Sequence, residues 1–328
     1  MFNKDKLKFD DIFENRLPEE DVKKYLTQLH EQGETAEQIA AAASAMREHL
    51  IPLPIPYALK EELIDNCGTG GDYSNSFNVS STVSLLLTAC GAKVAKHGNR
   101  SITSKSGSAD MLEALGINLD LSIENQVKLL EKTGFTFMFA QNHHPAMKYI
   151  MPIRKAIPHR TIFNILGPLA NPAMVHKQLI GVFSPEYIHR LITSLTLLGT
   201  KRAMVVSSKD GMDEISISDV TYATFLDRQQ TRDFIIDPRE YGLDLYDKKE
   251  IEGGDAKENA EITRAILYGE ITGAKLDIVL INTAFALLVD GKVHSTEDGI
   301  SLAKEVIRSG QAKAKLEEII TVSNELQG

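Results

Sequence analysis

Residues 68–81 read GTGGDYSNSFNVSS, and they stand between a short apolar run at 63–67 and a stretch of helical character at 80–90. Three glycines in four positions free the backbone for close approach to a ligand. Hydroxyls and amides follow at once, at Ser74, Asn75, Ser76, Asn78, Ser80 and Ser81. A loop of exposed N–H groups leading from a strand into a helix N-terminus is an anion site. A tight turn with a serine cap would need the glycines alone; the density of donors points beyond it to a phosphate-type ligand. No Gly-Lys-Ser/Thr follows the glycines, so this is not a Walker A loop, and Tyr73 stands where a dinucleotide fingerprint needs its third glycine.

Outward from this loop, short apolar runs alternate with helical stretches. Strands are expected at 63–67, 93–96, 135–139, 178–183 and 203–207, with helices at 80–90, 106–115, 123–132, 185–198, 258–269, 276–290 and 296–309. The alternation predicts an α/β fold with a mostly parallel central sheet. The stretch 221–236, TYATFLDRQQTRDFII, predicts a β-hairpin insertion. Residues 1–50 are different, reading as helix throughout. Pro18 opens one helix with Glu19, Glu20 and Asp21 in its first turn, Gly33 stops it, and Thr35 with Gln38 forms a capping box for the next. The prolines of IPLPIP, 51–56, make a linker. The expected organisation is a small helical domain, 1–62, joined by part of the proline-rich segment 143–175, and a larger α/β domain, 63–328.

The chain has 328 residues, 43% hydrophobic and 25% charged, enough to bury a full core. Its two cysteines, Cys67 and Cys90, offer neither a disulfide framework nor a Cys-x-x-Cys metal pair, which suits a cytoplasmic setting. The N-terminus lacks the apolar stretch of a signal peptide. The longest apolar run, 278–289, is interrupted by Asn282 and Thr283 and is too short for a bilayer, so it reads as a buried helix and no membrane is expected. The net charge of −9 argues against a nucleic-acid partner and leaves anionic ligands to a locally basic pocket.

Such a pocket is suggested by KHGNRSITSKSGS, 96–108. Lys96 closes a predicted strand, where ligands of open α/β sheets bind. Lys96, Arg100 and Lys105 bring charge, Gly98 and Gly107 backbone access, and five hydroxyls bring donors. His97 reads as structural support. A third constellation is the adjacent pair Asp213 and Glu214. On a strand the two would face opposite ways, but beside Gly211 a loop is expected, and there both reach one hard cation. A fourth is Arg154 in MPIRK, whose fork suits a carboxylate and whose plainer reading is a surface arginine. No nucleophilic triad or HExxH motif is present. Positioning and charge neutralisation of a phosphorylated substrate is the chemistry these residues support.

With GTGGD at 68–72, NVSS at 78–81, KHGNR at 96–100, SKSGSAD at 104–110, HHPAMK at 143–148, RTIFNILGPLANP at 160–172 and GMDE at 211–214, the chain resembles the anthranilate phosphoribosyltransferases of tryptophan biosynthesis. The resemblance spans nearly the whole chain. It implies a helical domain over an α/β domain, a site in the cleft between them, and a homodimer built largely through the helical domain. It implies two substrates, 5-phosphoribosyl 1-diphosphate (PRPP) and anthranilate, and two Mg²⁺ ions. Carried over by position, PRPP would be held by Gly68, Gly71, Asp72, Ser76, Asn78, Val79, Ser80 and Ser81, by Lys96, His97, Gly98, Asn99, Arg100, Ser101, Ile102, Thr103 and Ser104, and by Ser108. Anthranilate would meet Gly68, Asn99 and Arg154. Ser80 would hold one ion, Asp213 and Glu214 the second, with Glu214 touching both. Two positions depart from the commoner pattern: Tyr73 stands where glycine is usual, and Ser76 where threonine is. A pyrimidine nucleoside phosphorylase shares this architecture, but the acidic pair and NVSS argue against it. A nucleic-acid-binding relative would be basic, with degraded loops.

Overall fold

The computed structural model describes residues 2–101 and 105–326. Among these residues seven strands form one sheet: β1 (Leu63–Asn66), β2 (Lys93–Gly98), β3 (Phe135–Phe139), β4 (Lys177–Gly181), β5 (Arg202–Ser208), β6 (Thr221–Asp227) and β7 (Gln230–Ile236). Their order across the sheet is β3-β2-β1-β4-β5-β6-β7. Every pair from β3 to β5 is parallel, and β5, β6 and β7 are antiparallel. The β6–β7 hairpin turns on Arg228 and Gln229, both with positive φ (46° and 73°), as a two-residue turn of the twist-matched type requires. The chain leaves β1 for β2 and β3 on one side, then crosses to β4 on the other. That reversal between β1 and β4 is the place where open α/β sheets bind ligands.

The two faces of the sheet bury different partners, because strand side chains alternate. On β5, Met204 and Val206 enter a core with Leu86, Ile278, Phe285 and Leu316. Ala203 and Val205 enter another with Phe9, Leu26, Phe163 and Leu191. The second core gathers the helices Phe2–Phe13, Glu19–Gln32 and Ala36–Glu48 together with Ile150 and Ile153 of the helix Met147–Ala156. Phe163 meets Phe9 and Phe13 edge-on, at centroid distances of 6.5 and 6.0 Å. The Thr35–Gln38 capping box is formed in both directions, as its sequence predicts.

Two expectations change. β2 runs past Lys96 to Gly98, because β3 pairs with it as far as Gly98 and Phe139, so Lys96 is inside the strand rather than at its end. A helix at Gln311–Glu325 was not expected: its apolar stripe is narrow, with only Ala312, Leu316, Ile319 and Ser323 buried. The run 278–289 lies in the buried helix Ala274–Asp290, as anticipated, and no described helix is long and apolar enough to cross a membrane. Both cysteines are buried free thiols.

Candidate active site

The glycine-rich loop leaves β1 at Asn66 and enters the helix Val79–Ala89. Asn66 sews its two ends together: its amide donates to the Ser80 carbonyl at 2.8 Å, and its Oδ1 accepts from the Ser84 hydroxyl at 2.6 Å. Between them Gly70, Gly71, Tyr73 and Asn75 all have positive φ, so the loop is a run of left-handed residues that only glycine adopts freely. On its far side it pairs with another loop. Phe77 N–H donates to the Ile251 carbonyl at 3.1 Å, and Gly253 N–H to Asn75 at 3.0 Å.

The turn carrying Asp213 and Glu214 descends onto this loop. A Cβ on Gly68 would lie 2.2 Å from Asp213 Oδ2, and one on Gly181, at the end of β4, 1.6 Å from the Asp213 carbonyl oxygen. Only glycines let the segments meet. Asp213 accepts from the Gly70 N–H at 2.6 Å, and its own N–H donates to Asp72 at 3.4 Å. Asp213 is buried and Glu214 half-buried. Burial, then the neighbouring Asp72 charge, pushes the Asp213 carboxyl up to about 7. Burial, then Asp213, pushes Glu214 well above the usual carboxylate range, with Lys96 pulling the other way. Crowded carboxylates that resist ionisation mark a place where a cation would be welcome. Among the described residues no three His, Cys, Asp or Glu side chains make a self-contained cage. The donors here are all oxygens, from Asp213, Glu214 and the Ser80 hydroxyl. They fit a hard cation that completes its shell with phosphate oxygens and water, as Mg²⁺ does.

Lys96 is only 1% exposed. Its ammonium donates to the Asn66 carbonyl at 3.1 Å and reaches the Ser80 hydroxyl at 3.5 Å, fixing one positive charge beneath the loop. Next to it, His97 is a joint. Its Nδ1 lies 3.0 Å from the Gly167 carbonyl, which can only accept, so that nitrogen carries the proton, and its Nε2 lies 3.2 Å from His144 Nε2. Burial lowers both imidazoles, His97 to about 3 and His144 to about 4.

The second loop is closed on itself. Asp110 accepts the Ser101 and Gly107 N–H groups at 3.1 and 2.9 Å, and a Cβ on Gly107 would lie 2.2 Å from the Ser101 nitrogen. The charge expected of Arg100 for a ligand is turned here onto Glu113, with bonds of 2.6 and 2.8 Å, and onto Asp110 at 2.8 Å. Asn99 is half-buried and accepts the Arg100 N–H at 2.8 Å. Gly98 is pressed by Phe137, and Ser108 opens the helix Ser108–Ala114. Ile102, Thr103 and Ser104 lie outside the described residues. The two loops are joined through Asn78: its Oδ1 accepts from the Ser106 hydroxyl at 3.0 Å and from Asn259 at 2.9 Å, and its amide donates to the Ser106 carbonyl at 3.2 Å. Ser76 bridges to Glu252 as a single β-pair. Val79 and Ser81 are buried, and the Val79 N–H is already given to the Phe77 carbonyl at 2.7 Å.

Arg154 is half-buried on the helix Met147–Ala156, its guanidinium over the Phe163 ring at 5.8 Å, and burial lowers its pKa. No described carboxylate pairs with it. Three residues were not anticipated: Gly181, Asn259 and Arg160, whose guanidinium donates to the Gly71 carbonyl. None sits in a glycine-rich or charged motif of its own. Arg160 alone left a trace, as the first residue of the stretch RTIFNILGPLANP that carries part of the resemblance.

A family model described as glycosyl transferase family, a/b domain, matches residues 60–313. The chain is 44% identical to anthranilate phosphoribosyltransferase of Listeria welshimeri over 316 residues, 96% of this chain and 92% of that one. It superposes on the solved structure of anthranilate phosphoribosyltransferase from Thermus thermophilus with a TM-score of 0.93 and 34% identity, covering 99% of this chain and 96% of that one. Against the Saccharomyces cerevisiae enzyme, solved in complex with PRPP and Mg, the TM-score is 0.85 at 30% identity, covering 94% and 86%. This chain therefore belongs to the anthranilate phosphoribosyltransferase family.

Proposed function

We propose that the chain transfers the phosphoribosyl group of PRPP to the amino group of anthranilate, giving N-(5-phosphoribosyl)anthranilate and diphosphate, in tryptophan biosynthesis. The observation that carries this is the meeting of the glycine-rich loop with the Asp72–Asp213–Glu214 carboxylates over Lys96, at the switch point of the sheet. PRPP would be held by the loop from Gly68 to Ser81 and by the segment from Lys96 to Ser108. Mg²⁺, two ions in this reading, would be held by Ser80, Asp213 and Glu214, and would neutralise charge on the departing diphosphate. Asn99 and Arg154 would orient anthranilate, the unpaired guanidinium taking its carboxylate.

The amine of anthranilate is aromatic and already neutral near pH 7, so no strong base is required. Breaking the C1–diphosphate bond sets the barrier. Fixed loop N–H donors and the buried Lys96 ammonium stabilise the charge that develops there. The helices of 1–62, with part of 143–175, would form one body that closes on the α/β body, aligns amine with C1 and excludes water. A homodimer through the helical body and a cytoplasmic setting belong to the same reading. The test is loss of anthranilate fluorescence by the purified protein with PRPP and Mg²⁺. Turnover that needs all three components is expected. No loss at any PRPP and Mg²⁺ concentration would overturn the proposal.

A further inference from the structure

Arg160 lies outside both phosphate-type loops, yet it grips one of them. Its guanidinium donates to the carbonyl of Gly71, 89 positions away in the chain. One face lies 3.8 Å from the centroid of Phe183, just beyond β4, and Tyr73 stands at 5.9 Å. Phe183 is itself buttressed edge-on by Tyr187 at 5.3 Å. No described carboxylate pairs with Arg160, so its orientation is set by two rings and one carbonyl. Tyr73 completes this arrangement from an exposed, left-handed position (φ 56°) in the loop itself.

The consequence runs along the backbone. A trans peptide puts the Gly71 carbonyl and the Asp72 N–H on opposite sides, so holding the carbonyl fixes the whole 71–72 peptide. Asp72 follows immediately, and its carboxylate accepts the Asp213 N–H and the Ser74 N–H, at 3.4 and 3.2 Å. Arg160 is thus in series with the carboxylate cluster: Phe183 orients Arg160, Arg160 holds Gly71, and Gly71 places Asp72 against the Asp213 turn. Freed from the arginine, a loop with two consecutive positive-φ glycines has many other conformations to visit.

We propose that Arg160, stacked on Phe183, is a positioning residue that presets the glycine-rich loop for its diphosphate-bearing substrate. The inference rests on the functional reading above. The experiment measures kcat and KM for PRPP and for anthranilate, with melting temperature, in wild type, Arg160→Ala, Arg160→Lys, Phe183→Leu and the Arg160→Ala/Phe183→Leu double variant. Arg160→Ala should raise the PRPP KM about tenfold or more, while the anthranilate KM moves less than about twofold. Arg160→Lys should recover only part, since an ammonium reaches the carbonyl but has no plane to lay on Phe183. Phe183→Leu should raise the PRPP KM by about threefold, and the double variant should be no worse than Arg160→Ala alone, because both act through one contact. A PRPP KM within about twofold of wild type in Arg160→Ala, or multiplicative effects in the double variant, overturns the proposal. Should Arg160→Ala fail to fold, Arg160→Lys and Phe183→Leu decide: an unchanged PRPP KM in both overturns it. An inactive wild type would instead defeat the functional reading itself.

Discussion

Arg154 lies half-buried against Phe163 with no described acidic partner, and a desolvated, unpaired guanidinium is best satisfied by an anion that arrives. A charge-assisted hydrogen bond to a carboxylate is worth about 1.5–3 kcal/mol. Arg154→Ala should therefore lower kcat/KM for anthranilate by about ten- to a hundredfold with a much smaller change for PRPP, and Arg154→Lys should restore only part. Initial rates against anthranilate at saturating PRPP and Mg²⁺ decide it; a change within about twofold would mean that the carboxylate is read elsewhere. Asp213 and Glu214 call for a different readout. Removing both as Asp213→Ala/Glu214→Ala should cut turnover by about a hundredfold or more, since several kcal/mol of charge stabilisation leave with the metal. The melting temperature should fall far less than the activity, because burial works against both carboxylates in the folded chain and the loss is confined to hydrogen bonds such as that from the Gly70 N–H. Near-normal activity across a magnesium titration would remove the pair from the site.

At the scale of elements, the site is made where strand ends touch. β4 ends in Gly181, and the turn after β5 passes so close that a methyl group there would overlap the Asp213 carbonyl. Gly181→Ala must push that turn back, at about 1–3 kcal/mol of overpacking. Gly199 offers the control: its φ is 80°, but nothing lies within 4 Å of where its Cβ would be. Gly199→Ala should lose about 1 kcal/mol to backbone strain and keep full activity, while Gly181→Ala should lose activity out of proportion to its stability. Parallel kinetics and thermal melts on the two variants check this; equal activities would show that the turn tolerates displacement. The glycine-rich loop and the 96–108 loop were legible from composition, because donors and glycines concentrate there. Gly181 was not, since a single glycine at the end of an apolar strand has no local mark of what will descend on it.

At the scale of the molecule, His97 and His144 join β2 to the segment that packs with the N-terminal helices. Their folded-state pKa values, about 3 and about 4, lie below the ordinary imidazole value of 6.5. Between those limits the unfolded chain binds protons that the folded chain refuses. Stability from this joint is therefore present above about pH 6.5 and is lost as pH falls toward 4. Asp65 and Asp213 have raised values and act in the opposite sense, so the difference between variant and wild type is the measure. His144→Gln keeps a polar side chain beside His97 and removes one titrating ring. Its melting temperature should fall less steeply than that of wild type between pH 6.5 and 4.5, by an amount equivalent to about 1 kcal/mol or more. Parallel pH profiles would place the acid sensitivity elsewhere.

What the sequence determined by itself is what a few consecutive residues can carry. The capping box of Thr35 and Gln38, the buried helix around 278–289, the hairpin of 221–236 and the strand-loop-helix at 63–90 are all set by neighbours within a turn or two, and all are present. The narrow stripe of Gln311–Glu325 fell below that signal because only its packing makes it a helix face. The tertiary structure alone decided that Lys96 would be buried under Ser80, that Arg100 would turn to Glu113, and that Asp213 would take the N–H of Gly70, 143 positions earlier. It also brought Arg160 to Gly71. Such contacts depend on which strand ends the sheet order makes adjacent, and no periodicity within either segment encodes that adjacency.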